Sequence, residues 1–155
     1  QLRIGQVLVV PGGVKPLLTR WVTTEKGSIV VNVPPSKGLL SWPTAGLITQ
    51  YFSRNHLGVD IANAAGTPIL AAADGVVLFV GEKAGGYGLA VTVDHGDGYS
   101  TLYAHLQSFS VAVGDSVARG QKLGEMGSTG RSTGPHLHFS LYYYGGAVNP
   151  IHYLP

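Results

Sequence analysis

The sequence predicts an all-β fold, an antiparallel sandwich or barrel, and three observations carry that expectation. Glycine takes 23 of 155 positions, about twice the usual ~7%. Only one stretch longer than eleven residues, Tyr99–Val113, lacks both Gly and Pro, which argues against a bundle of helices averaging roughly 11–12 residues each. Short runs rich in β-branched and aromatic residues alternate with turn formers along most of the chain, the pattern of sandwiches and barrels. With 45% hydrophobic and 12% charged residues, the chain can bury a core rather than stay disordered, and its length suits one sizeable domain.

The composition shifts at Pro34-Pro35-Ser36-Lys37-Gly38, a linker by its residues, which separates a segment 1–37 from a main domain 38–155. Before it, Ile4–Val10, Leu17–Thr24 and Ser28–Val33 read as strands broken by Pro11-Gly12-Gly13 and Lys26-Gly27. After it, strands are expected at Leu47–Phe52, Leu57–Ala62, Pro68–Ala72, Gly75–Val80, Leu89–Val93, Tyr99–His105, Lys122–Met126 and His136–Tyr144. Asp94-His95-Gly96-Asp97-Gly98 lies between two alternating runs and reads as a hairpin turn. Tyr99, Leu102, Tyr103 and Leu106 also fit a helical stripe, but the preceding turn and the Thr and Tyr content favour a strand. Gly85-Gly86-Tyr87-Gly88 reads equally as a mobile loop or as a hairpin turn. No internal repeat or low-complexity tract stands out.

The formal net charge is +2. The basic surplus sits before the linker, where Arg3, Lys15, Arg20, Lys26 and Lys37 face Glu25 alone. No dense Lys/Arg cluster with interleaved aromatics is present, so nucleic acid is not an expected partner. No apolar run approaches the ~20 residues of a membrane helix. The absence of cysteine excludes a disulfide framework, a thiolate zinc site and a cysteine nucleophile together, and leaves the compartment undecided. The chain starts at Gln1 without a basic-then-apolar leader, so any signal peptide is expected to lie outside this sequence. Nothing in it reports an oligomeric state.

Six histidines hold most of the chemical potential. His136 and His138 lie two apart in the apolar run Pro135–Tyr144, so on a strand they share a face, about 6.6 Å apart at a ~3.3 Å rise. Two imidazoles are a costly way to fill a core, because each brings ring nitrogens that need partners. His56 and Asp60 lie four apart, about 13 Å along a straight strand. Gly58 between them permits a bulge that would draw them together. Three of these four residues could complete a tetrahedral zinc site with one position left for water, the fourth serving as an acid or base. His105 could face either way. His95, in a turn, and His152, near the end of the chain, read as bystanders. No Gly-x-Ser-x-Gly elbow marks a serine hydrolase, and no carboxylate pair marks a glycosidase.

Residues 38–151 resemble the LytM domain of lysostaphin-type zinc metallopeptidases, which cut peptide bonds in bacterial peptidoglycan. The resemblance runs through Ile48-Thr-Gln-Tyr-Phe52, His56-Leu-Gly-Val-Asp60-Ile-Ala-Asn63, Gly66-Thr-Pro68 and Ala72-Ala73-Asp74-Gly75-Val76. It continues through Tyr103-Ala-His105-Leu106, the glycine-punctuated Val113–Gln121, and Gly127-x-Thr129-Gly130-x-x-Thr133-Gly134-Pro135-His136-Leu137-His138-Phe139. It implies a duplicated hybrid motif with a groove and one zinc ion at its floor, held by His56, Asp60 and His138. His136 and His105 would then act on the bound water and the oxyanion, their roles interchangeable at this stage. It also implies peptidoglycan as partner and an extracytoplasmic location. Leu2–Pro11 is similar to the closing strand of a LysM glycan-binding module. Two rivals accompany the metalloendopeptidase: a LytM-type regulator that activates cell-wall amidases without catalysis, and a lipoyl- or biotin-type carrier whose modified residue would be Lys83.

Overall fold

The structure, a computed structural model, describes residues 18–24, 27–33 and 38–155. It falls into two units, Gln1–Ser36 and Lys37–Pro155. In the first, β1 (Leu18–Thr24) and β2 (Gly27–Val33) form an antiparallel hairpin with Leu18 opposite Val33 and Thr24 opposite Gly27. The expected strand Ile4–Val10 and the LysM-like stretch Leu2–Pro11 lie outside the described residues.

The second unit opens with β3 (Leu47–Gln50), β4 (Val59–Ala62), β5 (Pro68–Leu70) and the long pair β6 (Gly75–Lys83) and β7 (Gly88–Gly96). There follow β8 (Tyr99–Phe109), β9 (Ser116–Val117), β10 (Lys122–Met126), β11 (His136–Tyr143), β12 (Gly146–Val148) and a 3₁₀ turn at Pro150–His152. Every pairing is antiparallel, in the order β3-β4-β11-β8-β7-β6-β9, with β12 on β11 and β10 joining β5 to β8. The all-β expectation holds, and no α-helix occurs among the described residues.

Strand β8 organises the sheet by changing neighbour along its length. Its first half, Tyr99–Ala104, pairs with β11, and Leu106–Phe109 pairs with β10. Residues 101–106 are buried without interruption, as in a strand covered on both faces. That double burial is why Leu102, Tyr103 and Leu106, with the half-buried Tyr99, also fitted a helical stripe. Phe139 packs on Tyr103 with ring centroids 5.4 Å apart, and Leu137, Phe139 and Leu141 are all fully buried. Each such side chain contributes about 1.5–3 kcal/mol by leaving water. The hairpin turn at Asp94–Gly98 joins β7 to β8 as expected, and residues 84–87 form the turn of the β6–β7 hairpin, the second of the two readings offered. Strands β9 and β12, of two and three residues, were not anticipated because runs that short show no alternation.

His95 ends a buried chain of hydrogen bonds. Its Nδ1 lies 2.8 Å from the Asp74 carbonyl, which can only accept, so Nδ1 carries the proton. Nε2 then accepts from Thr101 Oγ1 at 2.7 Å. The Tyr103 hydroxyl, 3.0 Å from Thr101 Oγ1, donates to it and accepts from the Ala72 amide at 2.8 Å. Protonating His95 turns Nε2 into a donor, reverses Thr101 and leaves the Tyr103 O–H without an acceptor. Burial depresses the His95 pKa, against the raising effects of the Asp74 carbonyl and the Asp94 and Asp74 charges, while Arg119 adds to the depression. A folded pKa below the unfolded ~6.5 means the unfolded chain binds the proton more readily, so stability falls as pH drops below ~6.5. Tyr103→Phe should cost about 1–3 kcal/mol at neutral pH by orphaning its buried partners. Thermal unfolding of His95→Gln should show a weaker decline than wild type between pH 7.5 and 5.5; equal declines would assign the acid sensitivity elsewhere.

Candidate active site

One face of β11 presents His136, His138 and Ser140 in succession, as the two-residue period of a strand requires. Its neighbour β4 places Asp60 opposite His138 in the ladder. His56 reaches the same point from outside the sheet. It sits in a tight turn closed by reciprocal backbone bonds between Ser53 and His56, and the chain bends through Leu57-Gly58 before β4 begins at Val59. The approach of His56 to Asp60 therefore comes from this bend before the strand, rather than from a bulge within one. Gly58 makes it feasible: a Cβ there would lie 2.7 Å from His138 Cε1 and 2.7 Å from the Phe139 carbonyl oxygen.

Three candidate ligand atoms meet at this point. Asp60 Oδ1 lies 3.0 Å from His56 Nε2 and 2.8 Å from His138 Nδ1, and the two nitrogens are 3.1 Å apart. His56 Nδ1 faces the Tyr51 carbonyl at 3.1 Å and so carries the ring proton. His138 Nε2 faces Ser140 Oγ at 2.9 Å, whose hydrogen is spent on the Leu57 carbonyl at 2.7 Å, so Nε2 carries that proton. The groups that converge are thus two imidazole lone pairs and a carboxylate oxygen, with no donor among them. Such a set repels itself unless a cation sits at its centre. Its separations approach the ~3.3 Å that ligand bonds of about 2.0–2.1 Å give around a tetrahedral ion. These residues form a group able to hold a metal, and two imidazoles with one carboxylate suit zinc.

Two further imidazoles border this group. His136 Nε2 lies 3.7 Å from Asp60 Oδ2, and its Nδ1 donates to the Gly134 carbonyl at 2.8 Å. The His105 ring is 4.6 Å from that of His136 and 6.1 Å from that of His138, centroid to centroid. Strict alternation would not put it there. Tyr103 is opposite Phe139 on the core face and Ala104 opposite His138 on the site face, so the next residue should point into the core. A bulge intervenes: β8 spends one residue more than β7 between the Leu106–Leu89 and Tyr103–Val91 pairs. His105 takes φ 65°, a left-handed conformation rare outside glycine, and swings onto the site face. Its Nδ1 donates to the Thr129 carbonyl at 2.7 Å, leaving Nε2 with a free lone pair. Burial lowers its pKa, against the raising effect of the Thr129 contact, so the ring is neutral at pH 7 and can accept a proton. Bulges beside active sites commonly re-aim a side chain in this way.

All five residues singled out in the sequence meet here. His95 serves the buried chain described above, and His152 is exposed at the end of the 3₁₀ turn Pro150–His152. Sequence reasoning missed the groups that orient the imidazoles: the carbonyls of Tyr51, Thr129 and Gly134, and the Ser140 hydroxyl. Ser140 alone had a readable signal, as a polar residue on the His136/His138 face of an apolar strand. Beside the cluster a cleft of about 320 Å³ runs past Gln50, Asp60, Thr133 and His136. A larger pocket of about 540 Å³ around Trp42, Ile48, Ile61 and Leu70 is almost wholly apolar and holds no acid–base pair.

Residues 54–150 match the model of peptidase family M23, more than half of the chain and all five of these side chains. The chain belongs to peptidase family M23. Within that family it is 54% identical over 98 residues to the DD-carboxypeptidase/endopeptidase Mpg of Neisseria meningitidis serogroup B, covering 63% of this chain and 22% of Mpg. It is 41% identical over 117 residues to the murein hydrolase activator NlpD of Escherichia coli, covering 74% of this chain and 31% of NlpD. The M23 chain thus spans less than a third of the length of either relative. A zinc-containing peptidase from Vibrio cholerae superposes with a TM-score of 0.68 at 28% identity, over 86% of this chain and 46% of that one. M23 membership removes the ground for a carrier. Lys83 instead pairs with Gly88 at the end of the β6–β7 hairpin and sets its ammonium 5.1 Å from the Phe79 ring centroid. No helix among the described residues is long and apolar enough to cross a membrane.

Proposed function

We propose that this M23 chain is a zinc-dependent metalloendopeptidase that hydrolyses peptide bonds in peptidoglycan cross-links or stem peptides, with residues 38–155 as the catalytic domain and 1–37 as a connector. The observation that carries this reading is the donor-free meeting of His56 Nε2, Asp60 Oδ1 and His138 Nδ1, flanked by two imidazoles with free Nε2 lone pairs. His56, Asp60 and His138 would hold one ion. When bound, zinc supplies Lewis acidity, polarising a carbonyl and acidifying water. His105 and His136 move the protons. One takes a proton at Nε2 from the attacking water, and the other, once protonated, donates to the oxygen where negative charge develops. Either then returns a proton to the leaving amine. The cleft past Gln50 and Thr133 gives an extended peptide a path across His136. The endopeptidase named among the relatives supports this reading, and the murein hydrolase activator among them supports a site of action at the cell wall, outside the cytoplasm.

The likeness to NlpD favours a second reading, an activator of murein hydrolases without its own catalysis. An activator has no chemical need for a complete ligand set beside two proton-transfer groups. The two readings part in a digest of purified sacculi, with and without a murein amidase, with and without a zinc chelator, the released fragments identified by mass spectrometry. An endopeptidase releases fragments with new peptide amino termini unaided, and the chelator abolishes them. Release that occurs only when the amidase is present assigns the chain to the activators.

A further inference from the structure

Ser140 takes no part in holding an ion or moving a proton, yet it is fully buried among apolar residues, 0% exposed, directly behind His138. A hydroxyl has one hydrogen. That of Ser140 points to the Leu57 carbonyl at 2.7 Å, an oxygen that can only accept. Toward His138 Nε2, 2.9 Å away, the oxygen therefore offers lone pairs alone. The opposite nitrogen, Nδ1, sits 2.8 Å from Asp60 Oδ1 and 3.1 Å from His56 Nε2. An imidazole that is neutral carries its proton on one of these two nitrogens. On Nδ1 it would satisfy the carboxylate, occupy the place of a metal bond and leave the Nε2 lone pair facing the lone pairs of Ser140. On Nε2 it is accepted by Ser140, and Nδ1 is free to ligate.

We propose that Ser140 is a positioning residue that locks His138 in the Nε2–H tautomer, with the Leu57 carbonyl fixing the direction of the Ser140 hydroxyl, and so primes Nδ1 as the metal-facing atom. This rests on the reading that His56, Asp60 and His138 hold an ion. The same logic covers the other ligand, whose ring proton goes to the Tyr51 carbonyl. Ser140 differs in that the device is a side chain, open to substitution. Outer partners of ligating histidines commonly change metal affinity by about 10–100-fold.

Ser140→Ala removes one buried atom and leaves the apolar packing of β11 in place. Zinc affinity of the purified chain is read by competition with a chromophoric chelator, and the His138 tautomer by imidazole ¹H–¹⁵N correlation spectra of the zinc-free protein. The expected result is zinc binding by wild type, a dissociation constant raised about 10–100-fold in Ser140→Ala, and a shift of the His138 ring proton from Nε2 toward Nδ1. An unchanged tautomer overturns the proposal whatever the affinity, because a loss of affinity alone would report general loosening. An affinity within about threefold of wild type, at the fold-change level set by outer-shell effects, overturns it too. Wild type that binds no zinc instead refutes the metal site itself, and the tautomer claim with it.

Discussion

His138→Ala is expected to lose zinc and activity together, whereas His136→Ala is expected to keep zinc and lose turnover. The two residues are neighbours on one strand face, and their surroundings differ in kind. His138 Nδ1 touches both Asp60 and His56, so its removal deletes one of three converging atoms. The drop in affinity should exceed the roughly 10–100-fold that follows loss of an outer partner. His136 keeps Nε2 at 3.7 Å from the far oxygen of Asp60 and touches neither His56 nor His138 through a ring nitrogen. Its loss should cost about 10²–10⁴-fold in kcat, the usual contribution of one acid–base group. Zinc content by elemental analysis and turnover on a peptidoglycan fragment measure the two effects separately. Equal zinc loss in both variants would overturn the division of roles.

Gly58→Ala is expected to damage the site almost as severely without touching any ligand. The added methyl would meet His138 Cε1 at 2.7 Å, His138 Nε2 at 2.8 Å and the Phe139 carbonyl oxygen at 2.7 Å. Two of these belong to an imidazole held between Asp60 and Ser140, and the third to the backbone of β11, so none can yield cheaply. Relief comes by pushing His138 from its partners or the Leu57-Gly58 bend from β11. Either displaces a ligand, and a misplacement of about 1 Å can cost about 10²-fold in rate. Unfolding in the presence of a chelator separates the outcomes: activity should fall at least about 100-fold while metal-free stability falls far less. A fully active variant would show that the bend can take up the methyl without displacing a ligand.

Local chemistry was legible in the sequence where it obeys a short period. The strand Lys122–Met126 was read at its observed bounds, and the shared face of His136 and His138 followed from the two-residue repeat of β11. What stayed hidden depends on long-range pairing. The orientation of His105 follows from β8 carrying one residue more than β7, a property of two strands together. His56 joins Asp60 because the Ser53–His56 turn folds back, and the spacing of four residues alone suggested about 13 Å on a strand. Which of the four candidates face one another, and which stands aside, depends on β4 lying against β11 with Asp60 opposite His138. The orienting carbonyls of Tyr51, Thr129 and Gly134 were invisible for a simpler reason, since every residue has one.

The most direct test is stepwise addition of zinc to chelator-stripped protein, with release of new peptide amino termini from purified sacculi followed at each step. Activity absent at the start should rise in proportion to zinc and level off at one equivalent per chain. Asp60→Asn, which keeps the size of the side chain and removes its charge, should stay inactive throughout. Release that is full before any zinc is added, or that persists in Asp60→Asn, would contradict a reaction run by one ion at His56, Asp60 and His138.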